Sequence, residues 1–359
     1  MDEELVRPAV REIREYVPGK TAKGVIKLAS NENPFGPSPK ALKAIAKEAK
    51  RLQVYPDQKA TLLCEALAKK YKVSRDNIIC GNGSDDIMQI LAATYLNPGD
   101  EVIISKNTFS IYELVSRIFE GRLVFVDLKD STINLEGIAA AMTAKTKIIF
   151  LTNPNNPTGT IFRADEFDRF MQKVPEKVLV VVDEAYAEFV ESKGFPDTLK
   201  YIRAGKNIIV LRTFSKFYGL AGLRIGYGIA EPEIIKPFFK VKMPFNVNRL
   251  AQVGAAAALN DNTFLKKTYK NNIEMKKYLY AEFNRLGLEY KKSEANFIFV
   301  NLKRNADEFC QKLIKLGVSI RPLTSFGLPQ AIRVSIGTPQ QNKKLTKTLS
   351  MVLLTKTLP

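Results

Sequence analysis

The 359-residue chain contains no histidine. That absence excludes a Ser-His-Asp triad, a Cys-His pair and any imidazole-ligated metal. Lysine, carboxylate, tyrosine or a bound cofactor must therefore carry any chemistry. Cysteine is scarce as well: Cys64, Cys80 and Cys310 are an odd number, widely scattered, with no CxxC pair. They supply neither a disulfide framework nor a zinc site, so no metal is expected and a reducing, cytoplasmic compartment is. No apolar run approaches the length of a membrane span. The opening MDEELVRPAVREIREYVPG is acidic and then amphipathic, without the basic start and apolar core of a secretory signal. Repeats and low-complexity tracts are also missing, and the length predicts one large domain plus a smaller one.

Acidic residues are the scarcer charge, 37 against 55 basic, for a formal net charge of +18. The excess favours anionic partners, whether nucleic acid, phosphorylated metabolites or carboxylates. Lysines spread through KALKAIAKEAKR and KKTYKNNIEMKKYL supply most of it and read as solvated helix faces. With no concentrated basic stripe and no recognised binding module, a nucleic-acid-binding protein is the alternative rather than the expectation.

Between about residues 60 and 230, helical patterns alternate with short β-branched runs. TLLCEALAKKYK leads to NIICG, DIMQILAATYL to EVIIS, YELVSRIFEG to RLVFVDL, LEGIAAAMTA to TKIIFLT, and ADEFDRFMQKV to KVLVVVD, with NIIVLRT following. Continuous apolar strands separated by helices predict an α/β domain, a mostly parallel central sheet covered by helices on both faces. Beyond residue 245 a long lysine-rich helical stretch precedes ANFIFVNL, GVSIRPL and AIRVSIG, with helical ADEFCQKLIKL among them. That order predicts a smaller α+β domain. The first 45 residues, with LASNENPFGPSP, are too rich in proline, asparagine and glycine for a regular element and read as an arm packed across the body.

Four segments fall at the C-terminal ends of predicted strands, where open α/β sheets place ligands. GNGSDD, residues 81–86, allows a tight turn into a helix opened by Ser84 and Asp85, either a plain capped turn or an anion cradle of free backbone amides. It lacks the third glycine of a dinucleotide fingerprint, and no Walker motif occurs. NPNNPTG, residues 153–159, is a rigid irregular loop, either a well-formed turn or a means of aiming the Asn156 amide at a ligand. VVVDEAYAEF puts Asp183 at the end of an apolar strand, with Tyr186 three residues on. A carboxylate there is costly to bury unless it meets a cation or a protonated ring nitrogen, and the adjacent pair DE leaves magnesium as an alternative. RTFSKFYGLAGLRIGYG, residues 212–228, brings Thr213, Ser215 and Lys216 close to Arg224. Lys216 is either a surface residue or a nucleophile held as a Schiff base. A phosphate cradle, an acid, an amide, a phenol and a lysine are together the usual partners of pyridoxal 5'-phosphate.

YVPGK, LASNENPFGPSP, VYPD, GNGSDD, NPNNPTG, VVVDEAY, RTFSKFYGLAGLRIGYG, PFNVN and IRVSIGT follow one another over essentially the full length. In these motifs the chain resembles the aspartate aminotransferase superfamily of fold-type I pyridoxal-phosphate enzymes, and within it the class II histidinol-phosphate aminotransferase family. The resemblance implies an arm and part of the small domain in residues 1–45, a large cofactor-binding domain in 46–245 and a small domain in 246–359. It implies Lys216 as the Schiff-base lysine and proton carrier, Asp183 on the pyridine nitrogen, and Asn156 and Tyr186 on the ring oxygen. It implies a phosphate held by Ser84, Asp85, Thr213 or Ser215, and Arg224, with Tyr55 of VYPD reaching in from a second subunit of a homodimer. Phe109 stands where the family usually stacks a tyrosine on the ring, so the stack is kept and the phenol is not. Arg333 would grip the substrate carboxylate as a planar fork; Arg321 and Tyr16 would contact a distal phosphate, with Asn33 near the same mouth. The reaction implied is a ping-pong exchange of an amino group between glutamate and imidazole-acetol phosphate, both small molecules. Aromatic amino-acid aminotransferases and, more distantly, phosphothreonine decarboxylases share these motifs and are the rival expectations.

Overall fold

The structure, a computed structural model, describes residues 5–11, 13, 15 and 23–354. Its strands in chain order are β1 (Ile26–Leu28), β2 (Ile78–Gly81), β3 (Glu101–Ser105), β4 (Arg122–Val126), β5 (Thr146–Thr152) and β6 (Leu179–Asp183). β7 (Ile208–Thr213), β8 (Gly226–Ala230), β9 (Glu289–Tyr290), β10 (Phe297–Asn301), β11 (Val318–Pro322) and β12 (Ala331–Ser335) follow.

The larger sheet has the order β2-β8-β7-β6-β5-β3-β4. All its neighbours are parallel except β8, which runs antiparallel to both β2 and β7. The near-continuous apolar runs have a simple cause: successive side chains enter different cores. Ile149, Leu151, Val180, Val182 and Val210 pack on one face, while Ile148, Phe150, Val181, Ile209 and Leu211 pack on the other. Each such side chain, fully removed from water, contributes about 1.5–3 kcal/mol. Helices Thr61–Tyr71, Ser84–Tyr95, Ile111–Ile118, Leu135–Ala141 and Ala164–Met171 alternate with these strands, as the pattern predicts. β8 is not visible in that pattern, because the glycines of GYGIA interrupt its apolar content.

The smaller sheet has the order β1-β11-β12-β10-β9. Helices Asn262–Arg285, Ala306–Lys315 and Pro339–Leu354 cover it over a core that includes Leu279, Phe283, Leu313, Leu345 and Leu349. β1 corrects the expectation that the first 45 residues hold no regular element: Ile26, Lys27 and Leu28 pair in parallel with Val318, Ser319 and Ile320. Three residues ahead of the Asn- and Pro-rich stretch are too few to leave a periodic signal. The residues after β1, Ala29 to Glu32, line one cavity with Thr152, Asp183 and Thr213, the last residues of β5, β6 and β7.

A cavity between the two sheets as the candidate active site

The cavity has a volume of about 310 Å³. At one end, β2 turns at Gly83 into the helix Ser84–Tyr95, whose first amides have no partner within the helix. Gly83 has φ +90, a conformation that side chains disfavour, and a Cβ there would lie 2.7 Å from Arg224 Nη2. A Cβ on Gly226 would lie 2.4 Å from the Ser84 nitrogen, so β8 must be bare for the helix start to approach it. Arg224 is held over this turn, donating from Nη1 to Ser215 Oγ at 3.3 Å, with Nη2 3.4 Å from Asp85 Oδ2. The Ser215 amide donates to Thr213 Oγ1 at 3.0 Å, which fixes the strand-to-loop corner. Free amides, hydroxyls and a guanidinium converge here, the chemistry of a phosphate site.

At the floor, Asp183 ends β6 and is 3% exposed. Its Oδ2 accepts from the Tyr112 hydroxyl at 2.6 Å and its Oδ1 from the Ala185 amide at 3.1 Å. Burial pushes its carboxyl up to about 6 despite those bonds. No Lys or Arg among the described residues forms an ion pair with it. Phe109 borders the cavity with its ring edge-on to Tyr112.

Lys216 follows β7 and donates from Nζ to the Ser30 carbonyl at 3.0 Å. Burial first, then the charge of Arg333, lowers its amine to about 8. Tyr186 is buried, and its hydroxyl accepts from Asn31 Nδ2 at 3.0 Å. Arg333 on β12 donates from Nη1 to Asn156 Oδ1 and from Nη2 to the Ala29 carbonyl at 2.9 Å. Arg321 on β11 is the direct cross-strand neighbour of Arg333, and both line the cavity.

One wall or another of this space is thus formed by Ser84, Asp85, Phe109, Asn156, Asp183, Tyr186, Thr213, Ser215, Lys216, Arg224, Arg321 and Arg333. Asn33 is turned away from it, donating to the Phe217 carbonyl and Thr268 Oγ1 behind the wall. Tyr55 lies elsewhere, 76% exposed and stacked on Phe245. Tyr16 is outside the described residues. Three positions that line or support the cavity were not assigned a role from the sequence: Ser30 through its carbonyl and Asn31, both within LASNENPFGPSP, and Tyr112. Asn31 adopts a φ of +56, a conformation that asparagine tolerates.

A buried carboxylate with hydrogen bonds but no cation, a lysine of depressed basicity and a cradle kept open by Gly83 and Gly226 fit pyridoxal 5'-phosphate. Fold and donor set together define a pyridoxal-phosphate-dependent aminotransferase of fold type I. Residues 23–349 match the family aminotransferase class I and II. Histidinol-phosphate aminotransferase from Moorella thermoacetica is 47% identical over 97% of this chain and 92% of its own length. The enzyme of that name from Akkermansia muciniphila is 44% identical, over 98% of this chain and 99% of its own. Among solved structures, histidinol-phosphate aminotransferase from Sinorhizobium meliloti in complex with pyridoxal 5'-phosphate superposes with a TM-score of 0.87 at 27% identity, covering 98% of both chains. The chain belongs to the class I and II aminotransferases and, within them, to the histidinol-phosphate aminotransferases.

Proposed function

We propose that this enzyme exchanges an amino group between L-glutamate or 2-oxoglutarate and histidinol phosphate or imidazole-acetol phosphate, as a step of histidine biosynthesis. The observation that carries the substrate choice is the pairing of Arg321 with Arg333 across neighbouring strands, both beneath one cavity. Like charges set opposite each other on a sheet are unfavourable, and anionic groups on the ligand relieve that cost. Arg333 takes a carboxylate in its fork, and Arg321 takes the phosphate of the longer substrate. The names of the similar enzymes from Moorella and Akkermansia support the same substrate.

Bound pyridoxal 5'-phosphate supplies an aldehyde that receives the amino group and a protonated ring that draws electrons from the substrate's breaking bond. Lys216 would hold the cofactor through Nζ and would take and return the proton at the substrate carbon bearing the amino group. Asp183 would pair with the ring nitrogen and keep it protonated. Tyr186 already accepts a hydrogen bond from Asn31, which leaves its own proton for the ring oxygen, and Asn156 would donate to the same oxygen. The Ser84 and Asp85 amides, Thr213 or Ser215, and Arg224 would hold the phosphate, while Phe109 would cover one ring face. Asn33 supports the wall next to Lys216, and Tyr16 remains the other contact to the substrate phosphate. Both half-reactions use one site, so the kinetics are ping-pong.

The enzyme acts as a homodimer in which Tyr55 reaches the cofactor phosphate of the second copy. Support comes from the exposed Leu52, Val54, Tyr55, Met243 and Phe245, large apolar side chains on neighbouring segments. A cytoplasmic location is supported by its three free, buried thiols.

The Lys216→Ala protein tests the core of this mechanism. It is expected to yield no borohydride-stable cofactor adduct and to lose transamination by about 10²–10⁴-fold or more. An adduct together with retained activity would refute the assignment.

A further inference from the structure

Tyr112 lies on the helix Ile111–Ile118, with no solvent exposure. Its ring is stacked on Phe150 at a centroid distance of 5.0 Å and meets Phe109 edge-on at 5.8 Å, contacts that restrain its position. Its hydroxyl has two partners in a fixed sense. Asp183 Oδ2, 2.6 Å away, is an acceptor when ionised and takes the phenolic proton. Thr152 Oγ1, 2.8 Å away at the end of the neighbouring strand β5, donates to the phenolic oxygen. The two bonds therefore point in series at the carboxylate.

We propose that Tyr112 is a positioning residue for the reaction: backed by Thr152, it holds Asp183 ionised and, together with the Ala185 amide, fixes the orientation in which the carboxylate meets the cofactor ring. This role rests on the proposed pairing of Asp183 with the ring nitrogen. Strand geometry alone does not orient that carboxylate, because the Ala185 amide secures only Oδ1. Among the described residues, Asp85 and Glu184 oppose ionisation of Asp183 with their negative charge, the Tyr186 phenol feels its charge in turn, and Lys216, Arg224 and Arg333 line the same cavity. Tyr112 thus contributes a hydrogen bond to the ionised form where burial and both acids work against it. Burial and Asp183 itself hold the phenol far above its ordinary range, so it stays a neutral donor at every working pH. In a chain without histidine, the donor behind the strand-end acid has no protonation change of its own between pH 5 and 8.

The test compares wild type, Tyr112→Phe, Thr152→Val and Asp183→Asn. In the cofactor-free proteins, infrared difference spectroscopy on carbon-13-labelled aspartate follows the buried carboxyl. The Tyr112→Phe substitution keeps the ring packing and is expected to move its titration midpoint upward by about one pH unit or more, with Thr152→Val moving it less in the same direction. In the cofactor-loaded enzymes, Tyr112→Phe is expected to weaken pyridoxal 5'-phosphate binding about tenfold and lower kcat with KM little changed. If Tyr112→Phe does not fold, the upward shift in Thr152→Val carries the test. A wild-type midpoint and wild-type cofactor affinity in the substituted proteins overturn the role of Tyr112. A wild-type affinity and rate in Asp183→Asn would instead overturn the underlying placement of Asp183.

Discussion

Lys216 has an amine whose two strongest influences act in one direction. Burial and the nearby Arg333 charge both disfavour its protonated form, and together they lower it from 10.5 to about 8. A depressed lysine is mostly neutral above that value, so its rate of cofactor capture should climb with pH and level off above about 8. Stopped-flow mixing of cofactor-free enzyme with pyridoxal 5'-phosphate measures this; a rate still climbing between pH 9 and 10 would contradict the depressed amine. Asp183 is shifted the opposite way for the same reason, since burial penalises whichever form is charged. Asp183 was legible in the sequence because it ends an apolar strand, where a carboxylate is conspicuous, and Lys216, three residues beyond β7, through the motif RTFSKFYGLAGLRIGYG. Asn31 and Tyr112 were not. Asn31 bonds Ser335 across 304 positions and Tyr112 bonds Asp183 across 71, and such separations leave no local pattern.

At the scale of elements, the start of the helix Ser84–Tyr95 is set against β8. The approach is possible because Gly226 has no side chain: a Cβ would lie 2.4 Å from the Ser84 nitrogen and 2.8 Å from the Gly83 carbonyl carbon. Both are backbone atoms, so no rotamer change relieves the contact. The Gly226→Ala protein should lose about 1–3 kcal/mol of stability by denaturant titration and bind cofactor more weakly, since the phosphate cradle itself must shift. Unchanged stability and affinity would show that the corner is looser than this geometry requires. The turn GNGSDD was readable as an anion cradle or a plain capped turn, and only the placement of Arg224 and Ser215 beside it favours the cradle. β8 escaped notice for the reason that makes it useful: its glycines remove the apolar signal of a strand while allowing the helix to come close.

For the whole molecule, the α/β layering followed directly from the alternation of apolar runs and helical patterns, and the smaller sheet from its three strand candidates. Their relative placement did not. It depends on long-range contacts such as Arg333 to Asn156 and to the Ala29 carbonyl, which tie the small sheet to the loop after β5 and to the segment after β1. The proposed second subunit would bring in the exposed Tyr55. If Tyr55 completes its partner's site, mixing inactive Lys216→Ala chains with weakened Tyr55→Ala chains should form heterodimers with one intact site and recover activity. No recovery on mixing, in a preparation that sediments as a dimer, would place Tyr55 outside the partner's site.

The most direct measurement is specific activity with histidinol phosphate, tyrosine, phenylalanine and aspartate, each with 2-oxoglutarate as acceptor. With Arg321 and Arg333 paired under one cavity, histidinol phosphate should give the highest kcat/KM of the four. Activity with phenylalanine or with phenylpyruvate as acceptor, and none with histidinol phosphate, would contradict the proposed function and make this an aromatic amino-acid aminotransferase.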